Sequence, residues 1–169
     1  MLTPKSLNTP NTTLAAKTGL TVVLVEPRIP QNTGNIGRLC VCAGADLYLV
    51  GSLGFRLNAK QVDRAGMDYL DHLQMKHVPD FESVLSEKPG YTPYYLSSKA
   101  KQGLYDVTFP PNSILVFGSE THGLPQAWLD ANPETCLRIP MSPQGRSLNL
   151  ANSVSIVLYE AIRQQLTGV

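Results

Sequence analysis

The chain has 169 residues, of which 43% are apolar and 16% charged; this is the composition of one globular domain and excludes a disordered chain. A formal net charge of +1 gives no global basic signature, so any nucleic-acid surface must be local or built by oligomerisation. No apolar run approaches the roughly 18 residues of a membrane span, and the expectation is a soluble, cytoplasmic protein.

Residues 1–19 hold no acid, several Ser and Thr, Pro4 and Pro10. They read as a flexible N-terminal tail ahead of a single domain over 20–169, with neither the apolar stretch nor the arginines of a targeting segment. "TVVLVE" (21–26) is a β-branched run closed by Pro27 and predicts a buried strand. "PRIPQNTGN" (27–35) reads as a loop, because two prolines and Gly34 disfavour regular structure. Ile36, Leu39, Cys40 and Ala43 then fall at i, i+3, i+4 and i+7, which predicts a helix stopped by Gly44. "DLYLVG" (46–51) is the next strand, and "LNAKQVDRAG" (57–66) a short helix begun by Asn58. "LQMKHV" (73–78) predicts a strand, and Pro79 and Asp80 start a short helix through Leu85. "YYLSS" (94–98) and "SILVFG" (113–118) are strands. "LPQAWLDA" (124–131) is a helix with Pro125 near its first turn. "TCLRIP" (135–140) is the last strand, and a closing helix runs from Ser147 to Leu166.

Alternating strands and helices predict an α/β fold: a mostly parallel sheet with helices on both faces. In such sheets ligands bind outside the carboxyl ends of the strands. Four polar segments follow strands directly: "PRIPQNTGNIGR", "SSK", "SETHGLP" and "MSPQGRS". One site can be built from all four.

The chemistry of these loops is narrow. His72, His77 and His122 lack metal-ligand spacing and an accompanying acidic pair. Cys40 and Cys42 would point about 200° apart on a helix, so the three cysteines read as buried, reduced thiols and not as metal ligands. There is no P-loop, no complete dinucleotide fingerprint and no nucleophile elbow. What remains is a site of amides, hydroxyls and backbone groups, with Arg38 and Arg146 suited to phosphate or carboxylate. Such a set suggests positioning and electrostatics more than strong proton chemistry. Simpler roles also exist. Asn32 could cap a helix, Arg38 could be a surface charge, Glu120 could cap a turn, and Ser147 could cap the last helix. Asn149, Asn152 and Ser153 share one helix face, opposite the apolar stripe of Leu150, Val154, Val157, Leu158 and Ala161. A polar face at the start of a buried helix should meet a ligand, a partner or water.

Three segments, "NTGNIGR" (32–38), "FGSETHGLP" (117–125) and "RIPM…RSLNLANSVSIVLYEA" (138–161), together resemble the signature motifs of the SPOUT methyltransferases. The order and spacing fit from Thr21 onwards. The opening "VLVEPRIPQNTGNIGR" and the short length resemble the YibK-like subgroup, which methylates the 2′-hydroxyl of the tRNA wobble nucleotide, cytidine or uridine at position 34. The resemblance implies S-adenosyl-L-methionine as donor, the tRNA anticodon region as partner, a homodimer, and a trefoil knot at the carboxyl end. It implies a cofactor pocket formed by Leu96, Gly118, Ile139, Ser147 and Leu148. It implies catalytic or positioning roles for Arg38, Ser147 and Asn149, and RNA-binding or site-shaping roles for Asn32, Glu120, Arg146 and Asn152. Arg38 as a general base would be demanding, since a guanidinium gives up its proton only in strongly basic solution; stabilising developing oxyanion charge is the easier role. Gly37, just before Arg38 within a helix, is the small departure, and would suit a close approach. The alternatives are a ribose methyltransferase for ribosomal RNA or another tRNA position, and a catalytically silent RNA-binding protein of the same fold.

Overall fold

The computed structural model describes residues 13–15, 17–57 and 72–168. In chain order the elements are β1 (Thr21–Val25), α1 (Pro30–Ala43), β2 (Asp46–Val50), β3 (Met75–Val78), α2 (Phe81–Glu87), β4 (Thr92–Leu96), β5 (Gln102–Gly103), β6 (Ser113–Phe117), α3 (Gln126–Ala131), β7 (Cys136–Arg138) and α4 (Leu150–Thr167). The sheet has the order β3-β2-β1-β6-β4-β7-β5, and every pair of neighbours is parallel. Side-chain alternation along each strand then divides the core into two layers. Val22, Leu24, Leu47, Leu49, Leu115 and Leu137 pack on one face against Ile36 and Cys40 of α1 and Val154, Val157 and Leu158 of α4. Val23, Tyr48, Val50, Ile114, Val116 and Cys136 pack on the other against Phe81 and Val84 of α2 and Leu129 of α3. This explains why the strands read as continuous apolar runs: both faces are covered. Among the described residues, no helix is long and apolar enough to cross a membrane.

Several local expectations change. The segment 27–35 is not all loop, because α1 begins at Pro30. Proline is compatible with a first helical turn, whose amide lacks an intrahelical acceptor anyway. Asn32 therefore lies inside the first turn, and Ile29 occupies the N-cap without a side-chain cap. Gly44 ends the helix as expected, at φ 61°. Gly37 has a packing reason: it is buried, and a Cβ there would stand 3.1 Å from Leu73 Cδ2. Cys40 is buried and its thiol pushed up to about 12 by burial, whereas Cys42 is exposed, contrary to the expectation of three buried thiols. The closing helix starts at Leu150, not Ser147; Asn149 is its N-cap, and its Oδ1 accepts the Asn152 backbone N–H at 3.2 Å. The edge strand β5 was not anticipated. The helix expected over 57–66 lies beyond Leu57 and outside the described residues, as does the tail up to residue 12.

One buried polar side chain fastens α4 to the segment between β5 and β6. Gln164 Oε1 accepts the Phe109 N–H at 2.8 Å, while its Nε2 donates to the Val107 carbonyl at 3.0 Å. Gln164→Leu keeps the volume but orphans both backbone groups. It should lower stability by about 2 kcal/mol and the Tm by about 4–8 °C, read from thermal unfolding. An unchanged Tm would show that water replaces the amide.

Candidate active site

Because the strands are parallel, the segments after β1, β4, β6 and β7 emerge at one sheet edge. There they enclose a cavity of about 500 Å³. Leu96, Phe117, Leu124, Leu129 and Ile139 give it apolar walls, and Ser97, Lys99, Glu120, His122, Ser147 and Asn149 supply polar groups. Leu96, Gly118, Ile139, Ser147 and Leu148, expected from the motifs to hold a cofactor, all line this cavity, as do Asn32, Glu120 and Asn149. Arg38, Arg146 and Asn152 are not in its wall.

The turn after β6 is shaped by close backbone contact. A Cβ on Gly118 would lie 2.0 Å from the carbonyl carbon of Gly123 and 2.2 Å from the Leu124 nitrogen. Ser119 pairs across the turn with Gly123, whose φ is 67°. The Ser119 hydroxyl accepts the His122 N–H at 3.1 Å. The turn is thus held from within, and it presents Glu120 to the start of α1.

Glu120 gathers three donors. Arg28 N donates to Oε2 at 2.8 Å, and Ile29 N and Asn32 Nδ2 donate to Oε1 at 3.1 and 3.0 Å. A carboxylate beside a helix N-terminus is also favoured by the helix dipole. Burial works to raise the Glu120 pKa, but the hydrogen bonds from Asn32, Arg28 and Ile29 outweigh it and hold the carboxyl below its ordinary value. Asn32, only 6% exposed, has its Oδ1 occupied by Asn149 Nδ2 at 3.0 Å. Asn149 in turn caps α4 through Oδ1. An unbroken chain of hydrogen bonds therefore runs Glu120–Asn32–Asn149–α4 and ties together the three signature segments. Of the polar side chains at the start of the closing helix, Ser147, Asn149, Asn152 and Ser153, that of Asn149 alone is hydrogen-bonded among the described residues.

The remaining expected residues lie elsewhere. On α1, residue 38 is six positions past Asn32, a rotation of about 240° and a rise of about 9 Å. Arg38 is accordingly exposed on the helix face away from the core and makes no ion pair among the described residues. Arg146 is exposed on the segment between β7 and α4. Asn152 is exposed, and its backbone N–H, not its side chain, carries the bond to Asn149. The sequence set His122 aside as a metal ligand and gave Ser119 no role, although both stand in "SETHGLP" and line the cavity. Their roles depend on the cross-turn contact, which no spacing reveals.

The cavity suits a nucleoside cofactor with an amino-acid arm. Its volume falls within the ~300–1,000 Å³ usual for small-molecule sites, with apolar walls and few convergent polar groups. The tight Gly118 turn lines the cavity beside the apolar side chains of Leu96, Phe117 and Leu124.

Comparisons with known proteins agree with this geometry. The profile of the SpoU rRNA Methylase family matches residues 19–159. A tRNA (cytidine(34)-2'-O)-methyltransferase from Yersinia pestis is 45% identical over 151 residues, covering 86% of this chain and 93% of that protein. The protein of the same description from Escherichia coli (strain K12) is 42% identical, covering 86% and 93%. A solved structure described as giving structural insights into the 2-OH methylation of C/U34 on tRNA superposes with TM-score 0.80 at 39% identity, covering 89% of this chain and 97% of that one. The SpoU methyltransferase AviRb from Streptomyces viridochromogenes, in complex with the cofactor AdoMet, superposes with TM-score 0.77 at 28% identity, covering 90% of this chain and 62% of that one. A signature set joined by one hydrogen-bond chain, a cavity at the carboxyl edge and a match over most of the chain together place this protein in the SpoU methylase family.

Proposed function

We propose that the protein transfers a methyl group from S-adenosyl-L-methionine to the ribose 2′-hydroxyl of nucleotide 34 of tRNA. The observation that carries the reading is the Glu120–Asn32–Asn149 chain, which holds three loops around one cavity of cofactor size. Relatives that share 41–45% of their residues with this chain carry that activity in their names.

The cofactor, when bound, supplies an activated methyl group on a sulfonium. Leu96, Gly118, Ile139 and Leu148 hold it in the cavity, with the apolar walls excluding water. Ser147 stands at the cavity wall, where its hydroxyl orients the target ribose or the methionine end of the cofactor. Asn149 and Asn32 act by position, since their amides are engaged with each other. Arg38 holds the phosphate beside the ribose and stabilises charge developing on the 2′-oxygen.

Arg38 faces outward on its own chain, so it reaches a cavity most simply when a second copy brings its α1 alongside. The functional unit is accordingly a homodimer that docks the tRNA anticodon region in the cytoplasm and builds each site from both subunits, with Arg146 added along its rim. The placement of β7 between β4 and β5 supports a chain threaded into a trefoil knot in its carboxyl half.

Tritiated methyl transfer tests the reading. A tRNA carrying ribose at 34 should accept close to one methyl per molecule, and the same tRNA with 2′-deoxyribose there should accept none. Equal labelling of the two counts against it. Arg38→Lys keeps the charge but loses the planar fork, and should reduce kcat by about 10²-fold with cofactor affinity unchanged. Full kcat in that variant would remove Arg38 from the chemistry.

A further inference from the structure

Tyr105 is the most exposed of the large apolar side chains described, at 60%. It sits in the short turn Leu104–Asp106, directly after β5. Leu104 is fully buried in the core, so the turn is anchored and its neighbour is held outward. The strand β5 lies at the edge of the sheet, and Gly103 pairs in register with Arg138 of β7. Since the strands are parallel, Tyr105 lies beyond the same sheet edge as the cavity. Arg138 is followed at once by Ile139, which lines that cavity. Lys101, Arg138 and Arg146 are all exposed, and none has an ion pair among the described residues. Asp106, folded back against Gly103, is the one acid on the Leu104–Asp106 turn.

An exposed ring flanked by free cations is the arrangement that binds single-stranded RNA: bases splayed from a loop stack on the aromatic face, and the cations take the neighbouring phosphates. The other large exposed aromatic, Tyr159, lies on α4 beside Arg163, which is already paired with Glu160. We propose that Tyr105, with Lys101 and Arg138, forms an RNA-docking surface that stacks an unpaired nucleotide next to the one being methylated. The inference rests on the proposed reading of an RNA substrate and assigns it a contact outside the cavity.

The test uses full-length protein and an anticodon stem-loop RNA. Tyr105→Ala should raise both the Kd for that RNA, measured without cofactor, and the KM for tRNA about tenfold. It should leave kcat and the calorimetric affinity for S-adenosylmethionine within twofold. Tyr105→Phe keeps the ring and should bind as the parent does. Arg138→Gln should flatten the dependence of log Kd on log salt by about 0.7 unit, the single-strand value for one phosphate contact. Unchanged RNA affinity in Tyr105→Ala overturns the inference, as does a shift from dimer to monomer in sedimentation, which would give the surface to a second copy. Because binding is read without methyl transfer, a parent protein that binds the RNA through Tyr105 yet methylates none would sink the proposed function and leave this surface standing.

Discussion

Gly118→Ala should be the most damaging single-methyl change at the site. The added carbon would stand 2.0 Å from the Gly123 carbonyl carbon, 2.2 Å from Leu124 N and 2.4 Å from Gly123 O. All three are backbone atoms of the same turn, so no side-chain rotation relieves the clash. The turn must open, and opening it breaks the Ser119–Gly123 pairing and carries Glu120 away from α1. The expected loss exceeds about 4 kcal/mol, which is in the exceptional range for one substitution. Thermal unfolding should show a strongly lowered Tm, and calorimetry no binding of S-adenosylmethionine. Gly90→Ala is the control. Its φ of 79° disfavours a side chain, yet nothing lies within 4 Å of the new carbon. That variant should lose about 1–2 kcal/mol and keep cofactor affinity. Equal losses in the two variants would mean that close approach at Gly118 is unimportant.

Glu120→Ala comes next. It leaves the Arg28 and Ile29 amides and the Asn32 side chain without their common acceptor, and frees Asn32 from its orientation toward Asn149. Stability should fall by about 2 kcal/mol. Activity should fall further than stability implies, because all three signature segments lose their register. Glu120→Gln separates shape from charge: one carboxylate oxygen becomes an N–H that faces a donor, so part of the array survives. The pH dependence follows from the direction of the shift. The folded carboxyl titrates below its ordinary value of 4.5, so its contribution is complete above that value and disappears as the pH falls through the lower, folded value. Parent protein should therefore lose stability on acidification below about pH 4.5 more steeply than Glu120→Gln. Parallel stability curves for the two would contradict the assignment.

The sheet was readable because short apolar runs, β-branched in β1 and β6, alternate with helical segments, and the stop at Gly44 because a left-handed helix end favours glycine. The start of α1 was not. Pro30 looks like a breaker in a linear reading and becomes a helix starter only when the preceding strand and the Glu120 carboxylate fix the chain around it. The start of α4 slipped by three residues for a related reason. Ser147 and Asn149 are both good caps, and the choice fell to Asn149 because its amide could also reach Asn32, which is 117 positions away in sequence. Two residues of β5 are too few to leave a pattern. The cavity residues were legible through their motifs, whereas the division between them was not. That Asn149 braces Asn32 while Ser147 faces the cavity depends on where the helix begins. That Arg38 faces outward depends on which side of α1 the sheet covers.

The central claim is that this chain methylates the 2′-hydroxyl of tRNA nucleotide 34, and position-resolved mass spectrometry tests it most directly. Purified protein, S-adenosylmethionine and total RNA from cells lacking the modification are incubated, the tRNA and ribosomal RNA are separated and digested, and every 2′-O-methyl nucleotide is placed. The account predicts new methylation at position 34 of tRNA, absent with Arg38→Ala. Methylation confined to ribosomal RNA or to another tRNA position would contradict it.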